Sequence, residues 1–126
     1  MYDGRPWNWD LRYTGRGHLW ALLSGERGEY EIADCHALFT KGGDAQCLAR
    51  ARKRLDAMSA FANEGMMIPE QIWDKPDSAF PFGEGAGSAT PLAWSMAQYI
   101  RLAMNLKRGM NLDTPDIVWR RYVSKH

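Results

Sequence analysis

The chain lacks any apolar run close to the ~20 residues that cross a bilayer, and Met1 to Asp10 lack the apolar stretch of a signal peptide. No membrane-spanning segment is read, and the compartment stays open. Cysteine is scarce. Cys35 and Cys47 stand apart, with no Cys-x-x-Cys and no metal-ligand spacing. They read as two buried free thiols, with a disulfide as the open alternative, and no metal or cofactor is expected. An excess of either charge is lacking too. Sixteen basic and 15 acidic residues are interspersed and leave a formal charge of +1, so no long-range field gathers nucleic acid or anionic lipid. The densest basic run, Arg50, Arg52, Lys53 and Arg54, reads as a solvated helix face. No stretch alternates in the manner of a strand.

Helical spacing and tryptophan are what the chain has. At 126 residues it can bury about two-thirds of its unfolded surface as a single unit, residues 1–126. A first helix is expected over Leu19 to Ala33, with Leu19, Leu22, Leu23, Tyr30 and Ala33 inward. Gly25 and Gly28 weaken its middle and mark a close approach by a neighbouring helix or by substrate, helix packing being the preferred reading. Asp44 can cap a second helix, with Leu48, Ala51, Leu55, Met58 and Ala62 on one face. Asn63-Glu64-Gly65 stops it, with Gly65 suited to the left-handed position. A third begins at Thr90-Pro91, carries Leu92, Met96, Tyr99, Ala103 and Leu106 inward, and ends at Gly109. A short fourth follows Thr114-Pro115, with Asp113 and Asp116 near its positive end. The pattern is all-α: about four helices in antiparallel hairpins and one long loop, Gly65 to Ala89. A loop of that length rich in Trp, Phe, Ile and Met reads as functional rather than disordered.

Five of the six tryptophans divide in two by context. Trp94 lies at helical spacing among Leu92, Met96 and Tyr99 and reads as core. Trp7, Trp9, Trp20 and Trp73 lie near glycines, prolines or turn residues and are the candidates for a sugar-binding surface. Within the long loop Glu70 follows Pro69, which fixes its own φ and biases Ile68 away from the helical region. Glu70 is therefore expected on a rigid connection. The indole of Trp73 nearby offers a flat apolar face beside a proton-transfer group, an arrangement suited to a sugar ring.

The order of residues adds to the chemistry. Pro69-Glu70-Gln71-Ile72-Trp73-Asp74, a spacer, then Gly83-Glu84-Gly85 through Thr90-Pro91-Leu92-Ala93-Trp94-Ser95 resembles the C-terminal part of bacterial family-fifteen glycoside hydrolases: glucoamylases, glucodextranases and related α-glucosidases. The run Gly15-Arg16-Gly17-His18-Leu19-Trp20 through Tyr30 is similar to the preceding segment of that family. The resemblance runs from about Gly15 to about Tyr122, more weakly before it, and covers only part of the family's domain.

The resemblance implies a partial (α/α)6 barrel with active-site loops gathered at one end. It implies that Glu70 is the general base of an inverting α-glucan exo-hydrolase and that Trp20 contributes to the sugar-binding face. Trp73, Arg16 and Glu84 are the other substrate-binding candidates. The substrate-clamping arginine precedes Trp20, with Arg5, Arg12 and Arg16 all open. The family's general acid lies upstream of the segment matched by Gly15 to Tyr30 and is not in this chain, so the chain alone is expected to be inactive. Where the family often has proline, this chain has Ala21, which loosens the junction after Trp20. The implied partner is an α-linked glucose oligosaccharide or polysaccharide, with no nucleic acid and no membrane. Apolar helix faces left without neighbours imply self-association, or association with the N-terminal part of such a domain. The alternative is a non-catalytic helical module that binds carbohydrate or another protein.

Overall fold

A computed structural model describes residues 18–37, 45–75, 80–113 and 115–122. Its elements are β1 (Leu19–Trp20), α1 (Ala21–Ala37), α2 (Ala45–Ala60), β2 (Gln71–Ile72), α3 (Ala93–Arg108) and α4 (Asp116–Tyr122). The all-α expectation holds, with one addition. β1 and β2 form an antiparallel pair in the register Leu19↔Ile72 and Trp20↔Gln71, and Ile72 also bridges Gly85. Two-residue strands carry no alternation for a sequence to display, because the partner's backbone and not a repeating side-chain pattern creates them.

α1 packs on both α2 and α3, which also touch each other. A Cβ at Gly25 would meet Gln98 Cγ at 2.5 Å and Met58 Sδ at 2.9 Å, and one at Gly28 would meet Leu102 Cδ2 at 2.7 Å and Arg54 Cβ at 3.3 Å. Moving forward along α1 thus moves backward along α2 and forward along α3. α2 is antiparallel to its neighbours, and the start of α1, the end of α2 and the start of α3 share one end of the molecule. Both glycines are where the helices approach closely, as their spacing implied.

The core joins Ala21, Ile32, Ala51, Leu55, Met58, Ile68, Ile72 and Leu102. In α2 the expected face is the buried one, with Cys47, Ala51, Leu55 and Met58 inside. In α1 it is not. Leu22 and Ile32 are buried, whereas Leu23 and Tyr30 are more than half exposed, because the helix turns its glycine stripe and not its widest apolar residues toward α3. In α3 the deepest row is Ser95, Gln98, Leu102 and Asn105, while Met96, Tyr99, Ala103 and Leu106 pack half-buried at its flank. Trp94, expected in the core, is 57% exposed.

The helix ends differ from the expected ones in instructive ways. The left-handed residue after α2 is Met66, not Gly65. Asn63 Oδ1 closes that turn by accepting from the amides of Gly65 and Met67, each at 3.0 Å, so a side-chain acceptor does the work expected of a glycine. Thr90 does not cap α3. The Thr90–Pro91 bond is cis and the helix starts at Ala93, with Leu92 at the N-cap and no side-chain cap. Gly109 does end α3 in the left-handed region, its amide donating to Asn105 and Leu106 carbonyls. Cys47 is disulfide-bonded rather than a free thiol.

Candidate functional site

The segment from Phe61 to Leu92 crosses the end of the bundle where α1 starts, α2 ends and α3 starts. Its backbone polar groups are satisfied by its own returning limb. The Glu70 amide donates to the Ala89 carbonyl (2.9 Å), Ala86 to Gln71 (2.9 Å), Trp73 to Glu84 (2.8 Å) and Gly83 to Trp73 (2.8 Å). The Gln71 amide donates to Ser88 Oγ at 3.0 Å. Ser95, wholly buried on α3, donates to the Pro69 carbonyl at 3.2 Å, and Leu92 donates to the Ile68 carbonyl at 3.0 Å. Glu70 is therefore fixed on both sides along the chain and tied to the start of α3. Glu70 is half-buried, and no hydrogen bond or ion pair among the described residues engages its carboxylate.

The β1–β2 pair brings Trp20 to this segment. Trp20 lies directly across from Gln71, the neighbour of Glu70. It is half-buried and lines a recess of about 360 Å³ with His18, Leu23, Arg27, Arg54 and Phe61. A larger cleft of about 810 Å³ opens between the end of α2 and the glycine-rich return, with Phe61, Glu64, Pro69, Phe80, Glu84 and Thr90 among its walls. Glu84 is exposed there. The fold thus places Trp20 and Glu84 in different hollows, and Glu70 is a lining residue of neither. Arg16, like Arg5, Arg12, Trp7 and Trp9, lies outside the described residues.

Trp73 departs from its expected place as a sugar-facing wall. It is 2% exposed. Its ring stands 4.6 Å from that of His18 and 5.2 Å from that of Phe80, and its indole N–H is buried with no hydrogen-bond partner. An aromatic beside turn residues can equally face inward when the turn folds over it, and the chain does so here. Trp73 is a prop beneath the Glu70 segment.

His18 is the residue that pattern reading passed over. Its side chain is fully buried, and its Nδ1 lies 2.8 Å from Asp74 Oδ1. Asp74 is thereby accounted for as an anchor of the loop. A histidine among glycines and a tryptophan has no spacing signal of its own; only the cross-strand register, which sets it opposite Trp73, reveals its partner.

Further along α1 a second set of charges gathers around the buried Glu31 and the half-buried Glu29. Glu31, 3% exposed, accepts through Oε1 from Arg27 Nε (3.2 Å) and Arg54 Nη2 (3.1 Å), so Arg27 pairs within its own helix rather than with another segment. Glu29 accepts from Asn105 Nδ2 at 3.0 Å and pairs with Arg101 at 3.2 Å. Burial raises the Glu29 carboxyl above the ordinary range, with Arg101 pulling the other way. Arg101 also bonds Asp113, and Asn111 Nδ2 donates to the Glu29 carbonyl at 2.9 Å. This network ties α1 to α3 and to the turn before α4, away from Glu70. Among the described residues no group of three or more His, Cys, Asp or Glu could hold a metal ion, and no helix is long and apolar enough to cross a membrane.

The class of structure is a helical bundle with one long connection folded across its end. Comparison gives the particular relative. The chain is 42% identical over 123 residues to a glucoamylase of Clostridium sp. (strain G0005), covering 97% of this chain and 15% of that protein. Its fold superposes on a crystal structure of a bacterial glucoamylase complexed with acarbose with a TM-score of 0.70 at 40% identity, over 96% of this chain and 15% of that one. No family model matches. The chain is homologous, almost end to end, to one segment of bacterial glucoamylase, a protein of the (α/α)6 barrel class, and it spans about 15% of the length of these relatives.

Proposed function

We propose that this chain is a segment of an inverting α-glucan exo-hydrolase, contributing the general base and part of the sugar-binding surface, and that it is inactive alone. The observation that carries the proposal is Glu70: a half-buried carboxylate on backbone held by Ala89, Ser88 and Ser95, in a segment homologous to glucoamylase. Inversion requires a carboxylate that takes a proton from water on one face of the sugar while a carboxylic acid ~6.5–9.5 Å away protonates the leaving oxygen. Among the described residues no cation pairs with Glu70, which leaves its carboxylate oxygens open to a water. Trp20, across from Gln71, is the aromatic nearest along the ladder and supplies a stacking face. Arg16 and Glu84 remain the candidates for hydroxyl contacts.

Among the described residues the other carboxylates near the segment are paired or solvated. Asp74 pairs with His18, and Glu64 and Glu84 are exposed. In this reading the acid comes from elsewhere in such a domain, as the resemblance implies. The test is glucose release from maltose, isomaltose and starch. The 126-residue chain should release none, and supplying the rest of a glucoamylase-like domain should give turnover that Glu70→Gln lowers by roughly 10²–10⁴-fold. Turnover by the chain alone that vanishes in Glu70→Gln would place the acid within it and overturn the division proposed.

A second reading rests on a different observation. Ile100, Ile117, Tyr122 and Trp94 are each more than half exposed on α3 and α4, a surface that favours association with the remainder of such a domain or with another copy. A helical binding module without catalysis would show saturable maltooligosaccharide binding with no hydrolysis by any assembled form.

A further inference from the structure

We infer that His18 and Asp74 are a positioning pair that clamps the Trp20 strand against the segment carrying Glu70, so that carboxylate and indole keep one relative placement. The inference rests on the reading of Glu70 and Trp20 given above.

In an antiparallel pair, directly opposite residues share a face and lie close together. Continuing the register Leu19↔Ile72 by one residue sets His18 opposite Trp73, and their rings are 4.6 Å apart. Continuing it the other way sets Ala21, the first residue of α1, opposite Glu70. The ladder therefore has Glu70 at one end and the His18–Asp74 bond at the other. Two residues per strand are too few to hold a register, since such short pairings are marginal without packing or side-chain support. The 2.8 Å bond between a fully buried imidazole and the half-buried Asp74 supplies that support. Hydrogen bonds to a charged group are about twice as strong as neutral ones. Trp73 cannot provide it by hydrogen bonding, because its indole N–H has no partner; it is held by the rings on either side. His18 thus acts twice, donating to Asp74 and backing Trp73, and both contacts join β1 to the loop after β2.

Amide hydrogen exchange of the full 126-residue chain reads this directly. His18→Phe keeps a ring against Trp73 and removes the donor; Asp74→Leu keeps the side-chain volume and removes the acceptor. Each should speed exchange at Leu19, Glu70, Ile72 and Trp73 by at least about tenfold, with the α2 and α3 amides within twofold of the parent. Asp74→Asn, which keeps an acceptor oxygen, should restore slow exchange, and the double variant His18→Phe/Asp74→Leu should lose no more than either single one. Unchanged exchange at those four amides, additive losses in the double variant, or equal acceleration throughout the helices would each overturn the clamp. Glucose release by the chain supplied with the rest of a glucoamylase-like domain separates the two ideas. Turnover unchanged by Glu70→Gln beside the expected exchange pattern refutes the Glu70 reading and leaves the clamp standing.

Discussion

α2 and α3 have the same length, 16 residues each, and opposite sides. α2 buries Cys47, Ala51, Leu55 and Met58 and turns Arg50, Arg52 and Lys53 to water. α3 buries Ser95, Gln98 and Asn105 around a single Leu102, while Trp94, Ile100 and Met104 are exposed at 57%, 60% and 44%. A helix with one wet face needs only one apolar stripe. A helix that is apolar on its exposed side and polar on its buried side has neighbours on both, and its inner seam is held by directed bonds rather than by area. α2 therefore needs one packing surface, and α3 presents a second apolar face to solvent. That difference fits a segment making up 15% of a larger helical protein.

The comparison can be broken most severely at Leu102, the apolar member of the seam. Leu102→Ala should lower stability by about 2–5 kcal/mol, read by urea denaturation. A loss below 1 kcal/mol would mean that the polar bonds carry α3 alone. Gly28→Ala comes next. Its Cβ would meet Leu102 Cδ2 at 2.7 Å and Cδ1 at 2.9 Å. Overpacking costs about 1–3 kcal/mol, against about 1 kcal/mol recovered from helix propensity. A net destabilisation follows, and a stabilised variant would show that the seam yields easily.

Glu29 tests the polar side through pH. Burial raises its carboxyl above the ordinary value of 4.5, so the folded state holds this proton more tightly than the unfolded one. Its contribution to stability is then greatest below the unfolded value and is lost as pH rises through the folded one. In Glu29→Gln that fall should disappear from denaturation curves taken between pH 4 and 7. A steeper fall in the variant would contradict the assigned direction. The smallest effects on stability belong to the outer faces. Arg52→Ala and Ile100→Ser should each change it by less than about 0.5 kcal/mol. Sedimentation should separate them: Ile100→Ser reduces association and Arg52→Ala leaves it alone. Equal behaviour would erase the contrast between the helices.

α2 was legible because local periodicity and burial agree in it. Leu48, Ala51, Leu55 and Met58 needed only one partner side, and Gly109 stops α3 because only a residue without Cβ enters the left-handed region freely. Trp94 and the inward row of α3 were misread for the same reason that α2 was read correctly: an apolar residue at helical spacing signals burial somewhere, without saying against what. Glu70 on stiff backbone followed from Pro69, a local constraint. The His18–Asp74 bond did not, since 56 residues separate the partners and neither has a pattern until the strands pair.

By itself the sequence determined the helical class, the glycine positions where helices meet, the rigid placement of Glu70 and the relationship to glucoamylase, all of which depend on residue order and local sterics. Tertiary structure alone decided that Trp73 faces inward and Trp94 outward, that Cys47 is in a disulfide, and that β1 delivers Trp20 beside Gln71. Those outcomes depend on which surfaces meet, and contacts between distant segments are set by the packing of the whole chain rather than by any one stretch of it.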